Sequence, residues 1–214
     1  YLNTKYAIGI SSGSSALYLA LKSLNIGKGD EVITTPFSWI ITSNAIMSLG
    51  ATPVFADILD DFNISPVSIQ KLISKKTKAI VPMHLAGHMC KMNEISKIAR
   101  SNKLYIVEDA AQAISASLYD KKAGYWSNVA AFSMNPMKTL SAYGEAGLIT
   151  TNFKKKFETI KRLRHAGTKK DVNKININQC IDISLNHKMD TIQAAFLNYK
   201  LFSLDKKRNT REKI

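Results

Sequence analysis

The chain predicts a three-layer α/β/α fold around a mostly parallel, seven-stranded sheet, on three observations. Seven short apolar, β-rich runs occur along the sequence, helix-like stretches lie between them, and the chemically distinctive residues gather where runs end. Strands alternating with helices argue for a doubly wound sheet. In such sheets ligands bind beyond the carboxyl ends of the strands, where loops converge. The runs are residues 6–10, 31–35, 52–57, 79–83, 104–109, 129–133 and 147–151, each short enough for one strand.

Taken in order, the first run passes into Ser12-Gly13-Ser14-Ser15 and then a helix over 14–24, with Leu17, Leu21 and Leu24 on one face. Backbone N–H groups and hydroxyls at such a junction make a cradle for phosphate. The same residues also suit a plain serine N-cap, and the choice between the two rests on the other motifs. Pro36-Phe37-Ser38-Trp39 follows the second run and leads to a helix over 40–49. After the third run comes a helix over 66–73. The fourth closes on Pro82-Met83-His84, ahead of a helix over 92–100. Glu108-Asp109-Ala110-Ala111-Gln112 closes the fifth run, and Ser133-Met134-Asn135-Pro136-Met137-Lys138 the sixth. Gly144-Glu145-Ala146-Gly147 leads into the seventh, and a long helix over 153–165 follows. Residues 168–182 read as a polar loop, and 190 to about 204 as a last helix.

A length of 214 residues with 45% hydrophobic content suits one folded domain with a well-buried core. The longest uncharged stretch, 32–56, has the length of a membrane span, but Pro36, Gly50, Pro53 and many hydroxyl residues divide it into strand, turn, helix and turn. No membrane association is expected, and the opening residues read as the approach to a strand rather than as a signal peptide. Cys90 and Cys180 stand far apart without a partner motif, so a reducing, cytoplasmic setting is the default. The histidines and cysteines lack zinc-ligand spacing, so no metal is expected. No Gly-x-x-x-x-Gly-Lys-Ser/Thr phosphate loop is present.

The net charge of +14, from 30 basic against 16 acidic residues, raises nucleic acid as a partner. The lysines are spread along the chain, however, and the denser groups Lys154-Lys155-Lys156, Lys169-Lys170 and Lys206-Lys207-Arg208 read as parts of polar helical surface. A solvated surface that steers an anionic substrate is the better reading, and no nucleic acid is expected.

Asp109 and Lys138 carry the chemistry. A carboxylate buried at a strand end can keep a pyridine nitrogen protonated, so that the ring serves as an electron sink. A lysine at the end of a neighbouring strand can form a Schiff base and then shuttle protons. Either residue alone means little; together they are what a pyridoxal 5'-phosphate enzyme needs.

With Gly13-Ser14-Ser15-Ala16-Leu17, Pro36-Phe37-Ser38-Trp39, Pro82-Met83-His84 and Ser184-Leu185-Asn186-His187-Lys188-Met189-Asp190 in the same order, the chain resembles the DegT-type sugar aminotransferases. These are pyridoxal phosphate enzymes of aspartate aminotransferase-like fold that aminate keto sugars carried on nucleotides. The resemblance runs from about Tyr6 to about Arg211, and its motifs are specific in combination.

The resemblance implies that residues 1–204 are the large, cofactor-binding domain and that 205–214 begin the connection to a small C-terminal domain outside this chain. The chain is then a portion of a longer enzyme or a natural truncation. By the same resemblance Lys138 is the Schiff-base lysine and Asp109 the partner of the pyridine nitrogen. Gln112 donates to the ring's 3-oxygen, Trp39 covers the ring face, and Ser14, Ser15 and Ser133 hold the phosphate. Asn186 and Lys188 reach from the second subunit of a homodimer into its partner's site. The family often has arginine where Lys188 stands, and lysine offers a point charge in place of a planar fork. Lys188 and His84 are expected on the substrate side.

Dehydratases of the family have histidine in place of the cofactor lysine, so Lys138 favours transamination. The expected reaction is ping-pong transfer from an amino-acid donor, by resemblance glutamate, to a nucleotide-linked keto sugar for modified-sugar or cell-surface polysaccharide synthesis. Two alternatives are a non-catalytic fragment that binds the cofactor or dimerises, and a sugar dehydratase of the same family.

Overall fold

The computed structural model describes residues 1–170 and 178–211. Strands β1 (Tyr6–Ile10), β2 (Glu31–Thr34), β3 (Thr52–Phe55), β4 (Thr77–Ile80) and β5 (Tyr105–Asp109) alternate with helices α1 (Gly13–Ser23), α2 (Ile41–Met47), α3 (Pro66–Leu72) and α4 (Met92–Ser101). A small hairpin, β6 (Ser117–Leu118) and β7 (Lys121–Lys122), precedes β8 (Val129–Ser133) and β9 (Gly147–Thr151). Helix α5 (Lys154–Arg164), a second hairpin of β10 (Thr168–Lys170) and β11 (Asn178–Cys180), and helices α6 (Thr191–Leu201) and α7 (Leu204–Arg211) complete the described chain.

Seven strands form one sheet in the order β1-β9-β8-β5-β4-β2-β3. The pairs from β3 across to β8 are parallel, and β9 runs antiparallel to both its neighbours, β8 and β1. The fold is therefore the mostly parallel α/β architecture that the sequence predicts.

Successive strand residues point to opposite faces, and here both faces are buried, which explains near-continuous apolar runs in place of alternation. Val32, Ala79, Val81, Val107, Val129 and Ala131 join one core cluster, with Leu17 and Leu21 of α1, Ile46 of α2 and Ile160 of α5. Ile33, Ile80, Ile106, Ala130 and Phe132, one register step away, join the other, with Ile69 of α3, Ile95 of α4 and Leu197 of α6. The two clusters are the two helix-to-sheet interfaces of the three layers.

The stretch 32–56 resolves into β2, α2 and β3, and among the described residues no helix is long and apolar enough to cross a membrane. Three local features differ from the sequence reading. The expected loop over 168–182 contains the β10–β11 hairpin, so Lys169 and Lys170 lie on a strand; residues 171–177 fall outside the described residues. The last helix ends at Leu201, and α7 follows as a separate segment. The β6–β7 hairpin turns at Tyr119 and Asp120, with φ of 50° and 59°, a primed-type turn without the glycine that would announce it.

Candidate active site

A cavity of about 340 Å3 opens over the carboxyl ends of β5 and β8. Its first wall is the N-terminus of α1. The Ser12 hydroxyl accepts the Ser15 N–H at 3.1 Å and caps the helix. A Cβ on Gly13 would stand 2.6 Å from Ser133 Cβ, so only glycine lets the helix start come this close to the end of β8. A Cβ on Gly147 would overlap the Ser12 carbonyl for the same reason. The approach places Ser14 and Ser133 in the cavity wall beside free-ended helix amides, an arrangement suited to a phosphate.

Asp109 forms the floor at 2% exposure. One carboxylate oxygen accepts the Thr42 hydroxyl at 2.7 Å and the other the Ala111 N–H at 3.2 Å. Burial raises the Asp109 carboxyl above the usual carboxylate range; the two hydrogen bonds and the positive charges of His84 and Lys138 oppose that rise. A cation bound at this floor would draw the carboxyl back toward its ionised form. Lys138 lines the same cavity at the end of a turn in which its N–H bonds the Asn135 carbonyl at 3.0 Å.

Trp39 forms a side wall with 73% of its surface exposed, so a flat partner seated there would bury apolar area. Gln112 also lines the cavity. Its carbonyl oxygen accepts the Ala86 N–H at 2.6 Å, which leaves the NH2 end of the amide as the donor toward a neighbour. Ala86 holds a φ of 50°, a left-handed conformation uncommon for alanine, at this contact.

Six of the sequence-derived residues thus share one cavity: Ser14, Trp39, Asp109, Gln112, Ser133 and Lys138. Four do not line it. The Ser15 hydroxyl turns away and meets those of Ser11 and Ser12, each at 3.2 Å, and Nδ1 of His187 at 3.1 Å. His84, expected on the substrate side, is fully buried, with Nε2 2.9 Å from Glu108 Oε2; a side chain enclosed in this way does not reach a ligand in the cavity. Asn186 and Lys188 are exposed, in a segment bridged to His165 and to Ile10.

Thr42 and Glu108 were not singled out by the sequence. Thr42 sits three positions after Trp39, in the first turn of α2, where its placement over the sheet end depends on long-range packing. Glu108 adjoins Asp109, and strand alternation alone could have assigned it to the opposite face. A larger cavity of about 630 Å3 lies beside His88, Lys91 and Tyr119, but it has neither the buried carboxylate nor Lys138.

The DegT/DnrJ/EryC1/StrS aminotransferase family model matches residues 1–214. The chain is 39% identical over 215 residues to a "pleiotropic regulatory protein" of Geobacillus stearothermophilus, covering 100% of this chain and 56% of that protein. It is 36% identical over 206 residues to the dTDP-3-amino-3,4,6-trideoxy-alpha-D-glucose transaminase of Streptomyces venezuelae, covering 96% of this chain and 53% of the relative. The crystal structure of NtdA from Bacillus subtilis with bound cofactor PMP superposes with a TM-score of 0.88 at 34% identity, covering 95% of this chain and 46% of that one. This chain spans about half the length of the relatives it matches. On these matches and the shared seven-stranded architecture, the chain belongs to the DegT/DnrJ/EryC1/StrS aminotransferase family.

Proposed function

We propose that this chain is the cofactor-binding part of a pyridoxal 5'-phosphate-dependent sugar aminotransferase, passing an amino group from glutamate to a keto sugar carried on a nucleotide. One observation carries the reading: the fully buried Asp109 and the amine-bearing Lys138 line the same cavity, between a glycine–serine cup and an exposed tryptophan. The dTDP-sugar transaminase relative and the cofactor-bound neighbour support the substrate class and the cofactor.

When bound, pyridoxal 5'-phosphate supplies an aldehyde that condenses with amines and a ring that withdraws electrons from the adjacent carbon. Asp109 would hold a proton on the ring nitrogen through a charge-assisted hydrogen bond. Ser14, Ser133 and the amides of α1 would hold the phosphate, Trp39 would cover the ring face and exclude water from it, and the Gln112 NH2 would donate to the ring oxygen. Lys138 would supply the amine that condenses with the aldehyde and, once freed by the donor's amine, would serve as the base that takes the donor's α-proton and the acid that gives it back.

Ile183, Leu185, Ile192, Tyr199 and Phe202, which flank Asn186 and Lys188 in the sequence, each expose apolar surface. This surface supports a homodimer in which that segment approaches the partner's cofactor site.

Adding pyridoxal 5'-phosphate to the purified chain tests the reading. A new visible absorbance band is expected for the wild type and is lost in Lys138→Ala. An unchanged wild-type spectrum, or the same band in the variant, refutes it.

A second reading, favoured by the half-length match, is a cofactor-binding and dimerising fragment without catalysis of its own. Amine transfer by this chain, measured against the same chain extended at both ends, separates the two: equal activity defeats the fragment reading.

A further inference from the structure

Between β8 and β9 the chain crosses residues 134–146 without a helix or strand, and this connection carries two groups of the cavity wall, Lys138 and, near its end, Glu145. Two backbone bonds close its base: the Met134 N–H donates to the Ala146 carbonyl and the Ala142 N–H to the Met134 carbonyl, each at 2.8 Å. Further along, the connection leans on α6. The Gln193 side-chain oxygen accepts the Tyr143 N–H at 2.9 Å. Lys200 Nζ donates to the Ser141 carbonyl at 2.8 Å and lies 3.3 Å from the Ser141 hydroxyl. It also stands 4.1 Å from the centre of the Tyr143 ring, which meets the Phe196 ring edge-on at 4.5 Å.

Gln193, Phe196 and Lys200 recur at the three- and four-residue spacing that puts side chains on one face of a helix. Leu197 lies in the same buried apolar cluster as Leu140 and Ala142, which seats α6 on the domain. The polar contacts reach further, to main-chain atoms of Ser141 and Tyr143, so they set the path of the backbone itself. Gly144 fits this arrangement: a Cβ there would come within 3.1 Å of the Gln193 amide nitrogen, and the close approach of helix and connection uses a residue without a side chain. Ordering an irregular segment costs conformational entropy, which contacts of this kind offset.

Resting on the cofactor reading above, we propose that Gln193 and Lys200 are positioning residues: from α6 they hold the 138–145 connection so that the Lys138 amine stands ready for the cofactor's aldehyde. Neither lines the cavity. They act on the geometry of condensation, since an amine already in place reacts more readily than one that must first be brought there. Ser14, Trp39 and Asp109, which would hold the rest of the cofactor, stand on other elements of the fold.

The test uses the full chain with two ligands. Pyridoxal 5'-phosphate condenses with Lys138 and gives the visible band; pyridoxamine 5'-phosphate lacks the aldehyde, so its affinity reads the remainder of the site without that bond. Gln193→Met keeps the side-chain length and removes the acceptor, and Lys200→Met keeps the stem and removes the donor. Each loss of a hydrogen bond to the backbone should lower the equilibrium constant for the band about fivefold. Affinity for pyridoxamine 5'-phosphate should stay at the wild-type value. Gln193→Glu retains an acceptor oxygen and should restore the band. A merely structural role would lower both readings together, and that result overturns the inference. So does a wild-type band in either methionine variant, or a Gln193→Glu band no stronger than that of Gln193→Met. Should one methionine variant not fold, the other decides. A wild type without the band defeats the cofactor reading and this inference with it, whereas a normal wild-type band with unaffected variants defeats this inference alone.

Discussion

Thr42 donates its hydroxyl to the buried Asp109 carboxylate over 2.7 Å, joining the start of α2 to the end of β5 across 67 positions of sequence. A hydroxyl bound to a carboxylate in a desolvated site favours the ionised form, which is the form that pairs with a cationic ring. Thr42→Val keeps the volume and removes the donor. The lost contact to a charged group is worth about 2 kcal/mol, or roughly tenfold or more in cofactor affinity. Titration of the variant with pyridoxamine 5'-phosphate checks this; affinity equal to wild type would remove Thr42 from the site.

The cup at the start of α1 depends on two glycines from distant parts of the chain. Gly13→Ala forces a methyl group against Ser133, and Gly147→Ala forces one against the Ser12 carbonyl. Overpacking of this kind costs about 1–3 kcal/mol. Both variants should melt several degrees below wild type and bind inorganic phosphate and cofactor less well. Gly29, with φ of 91° and nothing within 4 Å of the point a methyl group would occupy, offers a contrast: Gly29→Ala should lose some stability through backbone strain but leave cofactor affinity unchanged.

His187 is 8% exposed, and burial, aided by the nearby Lys22 charge, holds its imidazole below the usual value of 6.5. A histidine depressed in the folded state is neutral there while the unfolded chain already binds a proton, so acidification favours unfolding. Stability from this group is complete above pH 6.5 and declines as the pH falls from there toward the lower folded-state value. The melting temperature of wild type should drop over that window, and His187→Asn should flatten this part of the curve. Identical slopes for the two proteins would contradict the assignment.

The strands were legible because both faces of the sheet are buried, which turns stretches such as 129–132 into near-continuous apolar runs with sharp ends. Asp109, Lys138, Ser133 and Trp39 were legible because each sits at or just past such an end. His84 misled for the opposite reason: it also follows a strand, yet its ring points to the side away from the cavity, and side-chain direction depends on register beyond the regular strand, where β4 ends at Ile80. Ser15 was drawn in by the cradle reading, but helix geometry turns its hydroxyl toward His187, 172 positions away. Contacts of that span leave no local signature. The β6–β7 and β10–β11 hairpins leave no sequence signature, since strands of two or three residues have no measurable periodicity.

The most direct measurement is borohydride reduction of the chain equilibrated with pyridoxal 5'-phosphate, followed by peptide mass mapping. The account predicts one cofactor-sized adduct, carried by the peptide that contains Lys138 and greatly reduced in Asp109→Asn. An adduct on another lysine, or labelling spread evenly over the many surface lysines, would contradict it.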